Sequence, residues 1–156
     1  MRLDHVIQGI AISDRRGRLD PEISGISTDS RRAGHGSLFV AVRGSQADGH
    51  QFIRAALERG AVGCVAERWP GDAESGIPKS AHVVLVPNAR RALALAAGNF
   101  YGQPSRKLLV AGVTGTNGKT TVTYLLESII RAASRRVGVI GTLGCSYGSN
   151  RVEIDH

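Results

Sequence analysis

The segment Val113-Thr114-Gly115-Thr116-Asn117-Gly118-Lys119-Thr120-Thr121 lies between an apolar run and an amphipathic stretch of this chain. The apolar run, residues 108–113, predicts a buried strand. The stretch from about residue 119 to residue 133 predicts a helix, because its apolar residues recur three and four positions apart. Phosphate-binding loops occupy this position between a strand and a helix. The segment therefore predicts a phosphate-binding loop within an α/β domain.

The residue types of this loop suit the phosphates of a nucleotide. Gly115 and Gly118 allow a sharp turn and a close approach of backbone N–H groups to phosphate oxygens. The helix N-terminus adds partial positive charge, Lys119 can reach the β- and γ-phosphates, and the hydroxyl of Thr120 can hold a magnesium ion. The loop departs from the general pattern G-x-x-x-x-G-K-[ST], because Val113 stands where the first glycine is expected. An ordinary glycine-rich turn is the less favoured alternative.

The residues before the loop predict a second α/β pattern. Short apolar runs predict strands over residues 23–28, 37–42, 62–66, 82–86 and 137–140, and amphipathic runs predict helices over residues 50–59 and 89–101. Asn88 is the expected cap of the second of these helices. Residues 108–113 and 137–140 are expected to pair in parallel, because a helix connects them. We predict a small α/β domain over residues 1–87 and the incomplete start of a parallel-sheet, nucleotide-binding domain over residues 88–156.

Composition and charge restrict the class of protein. Hydrophobic residues make up 42% of the 156 residues and charged residues 21%, the balance of a globular protein. No apolar run approaches the roughly 20 residues that span a bilayer, and the first residues do not resemble a signal peptide, so we expect a cytoplasmic protein. The net charge of +7 comes from small separated groups of arginines without interleaved aromatic residues, which disfavours nucleic-acid binding. The five histidines are scattered and are expected in surface or turn positions.

Four segments together resemble the Mur ligase family. They are GISTDSRR at residues 25–32, GSLFVAVRGSQADGH at residues 36–50, GVTGTNGKTT at residues 112–121 and VGVIGTLG at residues 137–144. The loop form TGTNGKTT also occurs in folylpolyglutamate synthase, a relative that lacks the uridine-binding domain to which the first two segments are similar. The resemblance covers nearly the whole chain. It is strongest to the branch of the family that adds the third residue of the cell-wall peptide.

The resemblance implies site residues in both predicted domains. In the first domain, the residues that would bind the UDP part of the substrate are Thr28, Ser30, Ser45, Gln46 and Ala47. In the second domain, the residues that would bind ATP are Gly115, Thr116, Asn117, Gly118, Lys119, Thr120 and Thr121. Lys119 would be the catalytic residue and Thr120 a ligand of Mg²⁺. The residues alone leave an alternative for the first set, since Asp29-Ser30-Arg31 is also typical of a capped turn.

The reaction that the resemblance implies is ATP-dependent formation of an amide bond. ATP phosphorylates a substrate carboxylate, an amine attacks the acyl phosphate, and phosphate leaves, while the protein positions the groups and neutralises charge. The implied substrates, in peptidoglycan precursor synthesis, are UDP-N-acetylmuramoyl-L-alanyl-D-glutamate and an amino acid, either meso-diaminopimelate or L-lysine. The alternatives are the branch of the family that adds the terminal dipeptide and a non-catalytic module that binds a nucleotide or a UDP-sugar.

The resemblance also implies functional parts that would follow residue 156. These are a magnesium-binding glutamate, a carbamylated lysine and a domain that selects the amino acid. We therefore expect this chain to be the inactive N-terminal portion of a longer ligase. We also expect a monomer without nucleic-acid or membrane partners.

Overall fold

The computed structural model describes residues 1–17, 20–45, 47–69, 77–78 and 80–152. The chain divides into two compact units, Met1–Leu108 and Leu109–His156. The boundary therefore lies after residue 108, and not after residue 87 as predicted. The helix over residues 89–100 explains the difference, because it buries Ala89, Ala92 and Ala96 in the core of the first unit.

The first unit is an α/β unit, which confirms the predicted class. Its strands are β1 (Asp14–Arg16), β2 (Gly25–Ser27), β3 (Ser37–Val40), β4 (Gly63–Ala66) and β5 (His82–Leu85). Its α-helices are α1 (Leu3–Val6), α2 (Ile53–Glu58) and α3 (Ala89–Phe100), and its 3₁₀ helices include Ser30–Arg32, Gly49–Phe52 and Pro104–Lys107. The sequence did not predict α1 or β1. Most of the loop predicted over residues 67–80 lies outside the described residues.

The sheet of the first unit has the order β1–β5–β4–β3–β2. Strands β2 to β5 run parallel, and β1 pairs antiparallel with β5 at the edge. The carboxyl ends of β2, β3, β4 and β5 therefore meet at one edge of the sheet, which we call the carboxyl edge. Ligands of open parallel α/β sheets bind outside this edge.

Both faces of the sheet are buried, which explains why its strands read as continuous apolar runs. Successive side chains of a strand point to opposite faces. Phe39, Cys64 and Val83 accordingly lie in one core cluster with α2, while Leu38 and Val65 lie in a second cluster with α1 and α3. Burial raises the pKa of the Cys64 thiol to about 12, so this cysteine acts as a small apolar core residue, as the sequence predicted.

Helix α3 begins at the predicted cap. The Oδ1 of Asn88 accepts a hydrogen bond from the backbone N–H of Arg91 at 2.8 Å, which satisfies one of the N–H groups of the first turn. Farther along the helix, the Nδ2 of Asn99 donates to the carbonyl oxygens of Val6 and Gln8 at 3.0 and 2.8 Å. These contacts fix α3 against the N-terminal segment.

The second unit contains, in its described residues, helix α4 (Lys119–Ala132) and the strands β6 (Gly138–Gly141), β7 (Gly144–Tyr147) and β8 (Asn150–Val152). The helix and β6 confirm the predicted elements. The three strands form an antiparallel sheet in the order β6–β7–β8. The apolar stripe of α4 is largely exposed, at Val122, Leu125 and Ile129.

The parallel pairing predicted for residues 108–113 and 137–140 is wrong. In the structure β6 pairs with β7, and Gly141 lies opposite Gly144. Only Thr142 and Leu143 separate these strands, so a hairpin closes a much shorter loop than a parallel pair connected through a whole helix. A strand exists only where a neighbouring strand pairs with it, and no strand in the described ranges pairs with residues 108–113.

Two searches of the described residues bear on function. None of the helices there combines the length and apolar character required to cross a membrane. Across the same residues, no group of three or more histidine, cysteine, aspartate or glutamate side chains is arranged to hold a metal ion.

Candidate functional site

The predicted phosphate-binding loop is a tight turn that leads into α4. Gly115 and Gly118 have φ values of +143° and +75°, a region that side chains with a Cβ rarely adopt, so both glycines are required by the turn. Gly118 precedes the first helical residue and has no side chain to cap the helix. The N–H groups of the first turn of α4 therefore remain available to an anion, at the positive end of the helix dipole.

The side chain of Lys119 folds over this loop. Its Nζ donates hydrogen bonds to the carbonyl oxygens of Gly115 at 2.6 Å and Thr116 at 3.1 Å. Residues 114–121 are all exposed. The ammonium group is thus held directly above the turn, where it is positioned to meet phosphate oxygens.

A cavity of about 160 Å³ lies beside the loop. Lys119, Thr120 and Thr123 line it from α4, and residues 139–144 line it from the hairpin of β6 and β7. The Oγ1 of Thr123 is not available to a ligand as a donor, because it donates to the carbonyl oxygen of Lys119 at 2.8 Å. The hydroxyl of Thr120 is the one oxygen of the predicted metal site that lies on this cavity wall.

The predicted uridine-binding residues lie in two loops at the carboxyl edge of the first unit. Thr28 follows β2 directly, and Ser30 begins the 3₁₀ helix Ser30–Arg32. Ser45 and Ala47 lie in the loop after β3, and both are exposed. Because β2 and β3 are parallel neighbours, the structure brings both loops to the same edge. Gln46 lies outside the described residues.

The turn after β2 is also a capped turn, which was the alternative interpretation of this segment. The Oδ1 of Asp29 accepts the backbone N–H of Arg31 at 2.9 Å, and both carboxylate oxygens accept hydrogen bonds from its guanidinium group, the shortest being 2.8 Å. These bonds lower the pKa of Asp29 to about 2, the side-chain hydrogen bond being the largest cause. The cap uses Asp29 and leaves the Ser30 hydroxyl at the turn, so the two interpretations are compatible.

Comparison with known proteins now bears on both loops. Residues 22–101 match the model of the Mur ligase family, catalytic domain, and residues 113–154 match the model of the Mur ligase middle domain. The chain belongs to the Mur ligase family. The first match includes both loops at the carboxyl edge, and the second includes the phosphate-binding loop.

Several similar Mur ligases carry one name. A UDP-N-acetylmuramoyl-L-alanyl-D-glutamate--2,6-diaminopimelate ligase of Syntrophomonas wolfei is 42% identical over 156 residues, which cover 100% of this chain and 31% of that protein. The ligase of the same name from Geobacillus thermodenitrificans is 46% identical over 129 residues, which cover 83% of this chain and 25% of that protein. This chain therefore spans less than a third of the length of these Mur ligases.

Solved structures of Mur ligases are similar as well. A structure of a UDP-N-acetylmuramoyl-L-alanyl-D-glutamate--2,6-diaminopimelate ligase matches with a TM-score of 0.64 and 25% identity, over 97% of this chain and 29% of that one. A structure of MurF from Acinetobacter baumannii matches with a TM-score of 0.59 and 29% identity, over 83% of this chain and 26% of that one.

The structure of this Mur ligase segment also contains a hydrogen-bonded network that the sequence analysis missed. His50 was expected in a surface or turn position, but the ring is buried and bonded to Asp48 at 2.6 Å. His82, in β5, is buried too. The signal that would have indicated the network is Asp48 two residues before a histidine at a helix start, where an acidic side chain commonly caps the first turn.

The pH dependence of stability should report the charge on Asp48. Its hydrogen bonds with the backbone and side chain of His50 lower its pKa from 3.8 to about 2. A lowered pKa in the folded state stabilises the fold above pH 4, and this contribution is lost as the pH falls from about 4 to 2. We expect Asp48→Asn to lower the free energy of unfolding at pH 7 by about 1 kcal/mol, since solvent screens this partly exposed carboxylate.

Urea denaturation of both proteins at pH 7, 4 and 2 measures this effect. The difference between wild type and Asp48→Asn should shrink towards pH 2, because Asp48 then becomes protonated in the wild type as well. A difference that stays constant over this range would show that the charge of Asp48 contributes nothing.

Proposed function

We propose that this chain is the substrate-binding and ATP-binding portion of a cytoplasmic, ATP-dependent ligase of peptidoglycan precursor synthesis. The complete enzyme would add the third peptide residue to UDP-N-acetylmuramoyl-L-alanyl-D-glutamate through an acyl phosphate. The observation that carries the proposal is the phosphate-binding loop, in which Lys119 lies over the turn and no side chain caps α4. The similar Mur ligases named above favour diaminopimelate over lysine as the incoming amino acid.

The loop would act on ATP by positioning and by neutralising charge. Backbone N–H groups between Gly115 and Thr121 would hold the phosphate oxygens, and the dipole of α4 adds positive charge. The ammonium group of Lys119 would leave the carbonyl oxygens that it now contacts and bind the β- and γ-phosphates. This charge favours the transition state, in which negative charge spreads over the transferred phosphoryl group.

A magnesium ion bound with ATP would supply further neutralisation of the phosphates, and the Thr120 hydroxyl would be its ligand from this chain. Hydroxyl and phosphate oxygens are the hard ligands that magnesium prefers. Thr120 fits this role, since it is exposed and lies on the wall of the cavity beside the loop.

The first unit would hold the UDP end of the substrate. Thr28 and Ser30 provide hydroxyl groups and backbone N–H groups at the end of β2, and residues 45–47 provide a second loop at the end of β3. A uracil edge and a diphosphate both require such donors and acceptors. The exposed arginines near this edge, including Arg32 and Arg43, would attract the diphosphate without forming a dedicated site.

Two other functions compete with this proposal. A ligase that adds the terminal dipeptide is the first, and the MurF structure that matches at 29% identity supports it more weakly than the diaminopimelate ligases at 42–46%. The second is a non-catalytic module, which would bind UDP-sugar or ATP without coupling them. The length of the natural reading frame separates the module from the ligase.

Titration of this chain with UDP-N-acetylmuramoyl-L-alanyl-D-glutamate tests the proposed substrate site. In an NMR titration, amide shifts should concentrate at Thr28, Ser30, Ser45 and Ala47. By calorimetry, Ser30→Ala should bind about tenfold more weakly, because a bound polar group loses its partner. Ser24→Ala, which removes an exposed serine hydroxyl at the opposite end of β2, should bind like the wild type. Amide shifts that avoid the carboxyl edge would exclude this site.

A further inference from the structure

One chain of hydrogen bonds crosses the carboxyl edge of the first unit. Asp48, at the end of the loop after β3, accepts both the backbone N–H and the Nδ1–H of His50, at 3.0 and 2.6 Å. The Nε2 of His50 accepts the backbone N–H of Glu67, just after β4, at 3.0 Å. The Oε1 of Glu67 accepts the backbone N–H of Ala89, the first residue of α3, at 2.8 Å. We call these contacts the edge network.

The edge network ends on the loop that carries Ser45 and Ala47. The base of this loop is closed by a bridge between Arg43 and Asp48 and by a hydrogen bond from the Gly44 N–H to the Ala47 carbonyl at 2.8 Å. The carbonyl oxygen of Arg43 also accepts a hydrogen bond from the guanidinium group of Arg90 on α3, at 2.8 Å. Both stems of the loop are therefore tied to elements at the same edge.

The ring of His50 is the central member of the edge network. A backbone N–H can only donate, so the Nε2 that faces Glu67 has to be unprotonated. The Nδ1 that faces the carboxylate of Asp48 then carries the proton. His50 is 7% exposed, so neither nitrogen can exchange these partners for water without opening the edge. A neutral imidazole with its proton on Nδ1 joins the loop after β3 to the end of β4.

We propose that His50 is a positioning residue for the UDP-binding loop, and that it holds residues 45–47 in the geometry that accepts the uridine end of the substrate. This inference rests on the proposed function. His50 does not itself touch the substrate. It acts through Asp48 at the stem of the loop, and it reduces the number of loop conformations among which the substrate has to select.

A second buried histidine supplies a matched control. His82 is 5% exposed and lies at the start of β5, at the end of the sheet opposite to the carboxyl edge. Its Nδ1 has no hydrogen-bond partner among the described residues. Burial lowers the pKa of His82, with the charge of Arg15 as a smaller cause, which favours the neutral ring. Replacement of either histidine removes a buried imidazole from the same sheet, but only His50 is bonded to the loop.

The experiment compares His50→Leu and His82→Leu with the wild-type chain. Calorimetric titration with UDP-N-acetylmuramoyl-L-alanyl-D-glutamate should show binding about tenfold weaker for His50→Leu and unchanged for His82→Leu, because a loop ordered a tenth of the time binds about a tenth as tightly. His50→Gln, which can still accept the Glu67 N–H, should recover part of the affinity. Nitrogen-15 shifts of the wild-type ring should show a protonated Nδ1 and an unprotonated Nε2.

The outcomes separate the inference from the proposed function. If the wild-type chain does not bind the UDP substrate, the proposed function fails. If the wild type binds and His50→Leu binds equally well, or if both leucine variants lose affinity to the same extent, the positioning role of His50 is wrong. Hydrogen exchange of the β3 and β4 amides checks that the variants keep the folded sheet, and His50→Gln supplies the answer if His50→Leu does not fold.

Discussion

Replacement of Lys119 by alanine should weaken ATP binding by this chain about 10- to 100-fold. Hydrogen bonds to a charged partner contribute about 1.5–3 kcal/mol, and Lys119 is the one cation that the structure places above the phosphate-binding loop among the described residues. The fold should be unaffected, because Lys119 and its loop are exposed and surface substitutions change stability by less than about 0.5 kcal/mol. In the complete ligase the same substitution should abolish amide-bond formation.

Fluorescence titration with a labelled ATP analogue measures this loss. Lys107→Ala is the control, since Lys107 is also exposed but lies in the 3₁₀ helix Pro104–Lys107 of the first unit. Circular dichroism and thermal unfolding should be the same for both variants. Equal affinities of Lys119→Ala and Lys107→Ala for the nucleotide would refute the assignment of the phosphate-binding loop.

Replacement of Phe39 by alanine should lower the free energy of unfolding of the first unit by about 3–5 kcal/mol. Phe39 is fully buried in β3, between β2 and β4, where its ring packs in the cluster that includes Ile53 and Cys64. Removal of the ring loses its transfer free energy and leaves a cavity in the sheet that the two neighbouring strands cannot close without breaking their register. This loss is a large share of the stability of a small domain.

Urea denaturation followed by far-ultraviolet circular dichroism tests the prediction. Phe52→Ala removes the same ring from a position that is 40% exposed, so its effect on the free energy of unfolding should be much smaller. Equal effects of the two substitutions would contradict the placement of Phe39 in the core.

Local patterns predicted most elements of the first unit. Strands β2 to β5 were found from short apolar runs, because a sheet that is buried on both faces leaves no polar alternation to interrupt them. The Asn88 cap and helix α3 were found from the cap residue and the apolar periodicity. The strand β1 was missed, since Asp14–Arg16 is entirely polar and is a strand only through its pairing with β5.

The candidate site was predicted to a similar depth. The phosphate-binding loop follows from its glycines, Lys119 and the helix after them, all within nine residues. The edge network could not be predicted in this way, because His50, Glu67 and Ala89 are far apart in the sequence and meet only where parallel strands end together. Neither could the Arg90 contact with the Arg43 carbonyl.

The phosphate-binding loop, helix α4 and the apolar strands were thus determined by the order of residues within short segments, where backbone preference and hydrophobic periodicity act directly. Tertiary structure alone decided that α3 belongs to the first unit, that β6 pairs antiparallel with β7, and that His50 joins the loop after β3 to β4. Such pairings depend on which partners lie near enough to bury apolar surface and accept hydrogen bonds. That choice balances contacts over the whole chain against the entropy of closing the loops between them, and no local pattern records it.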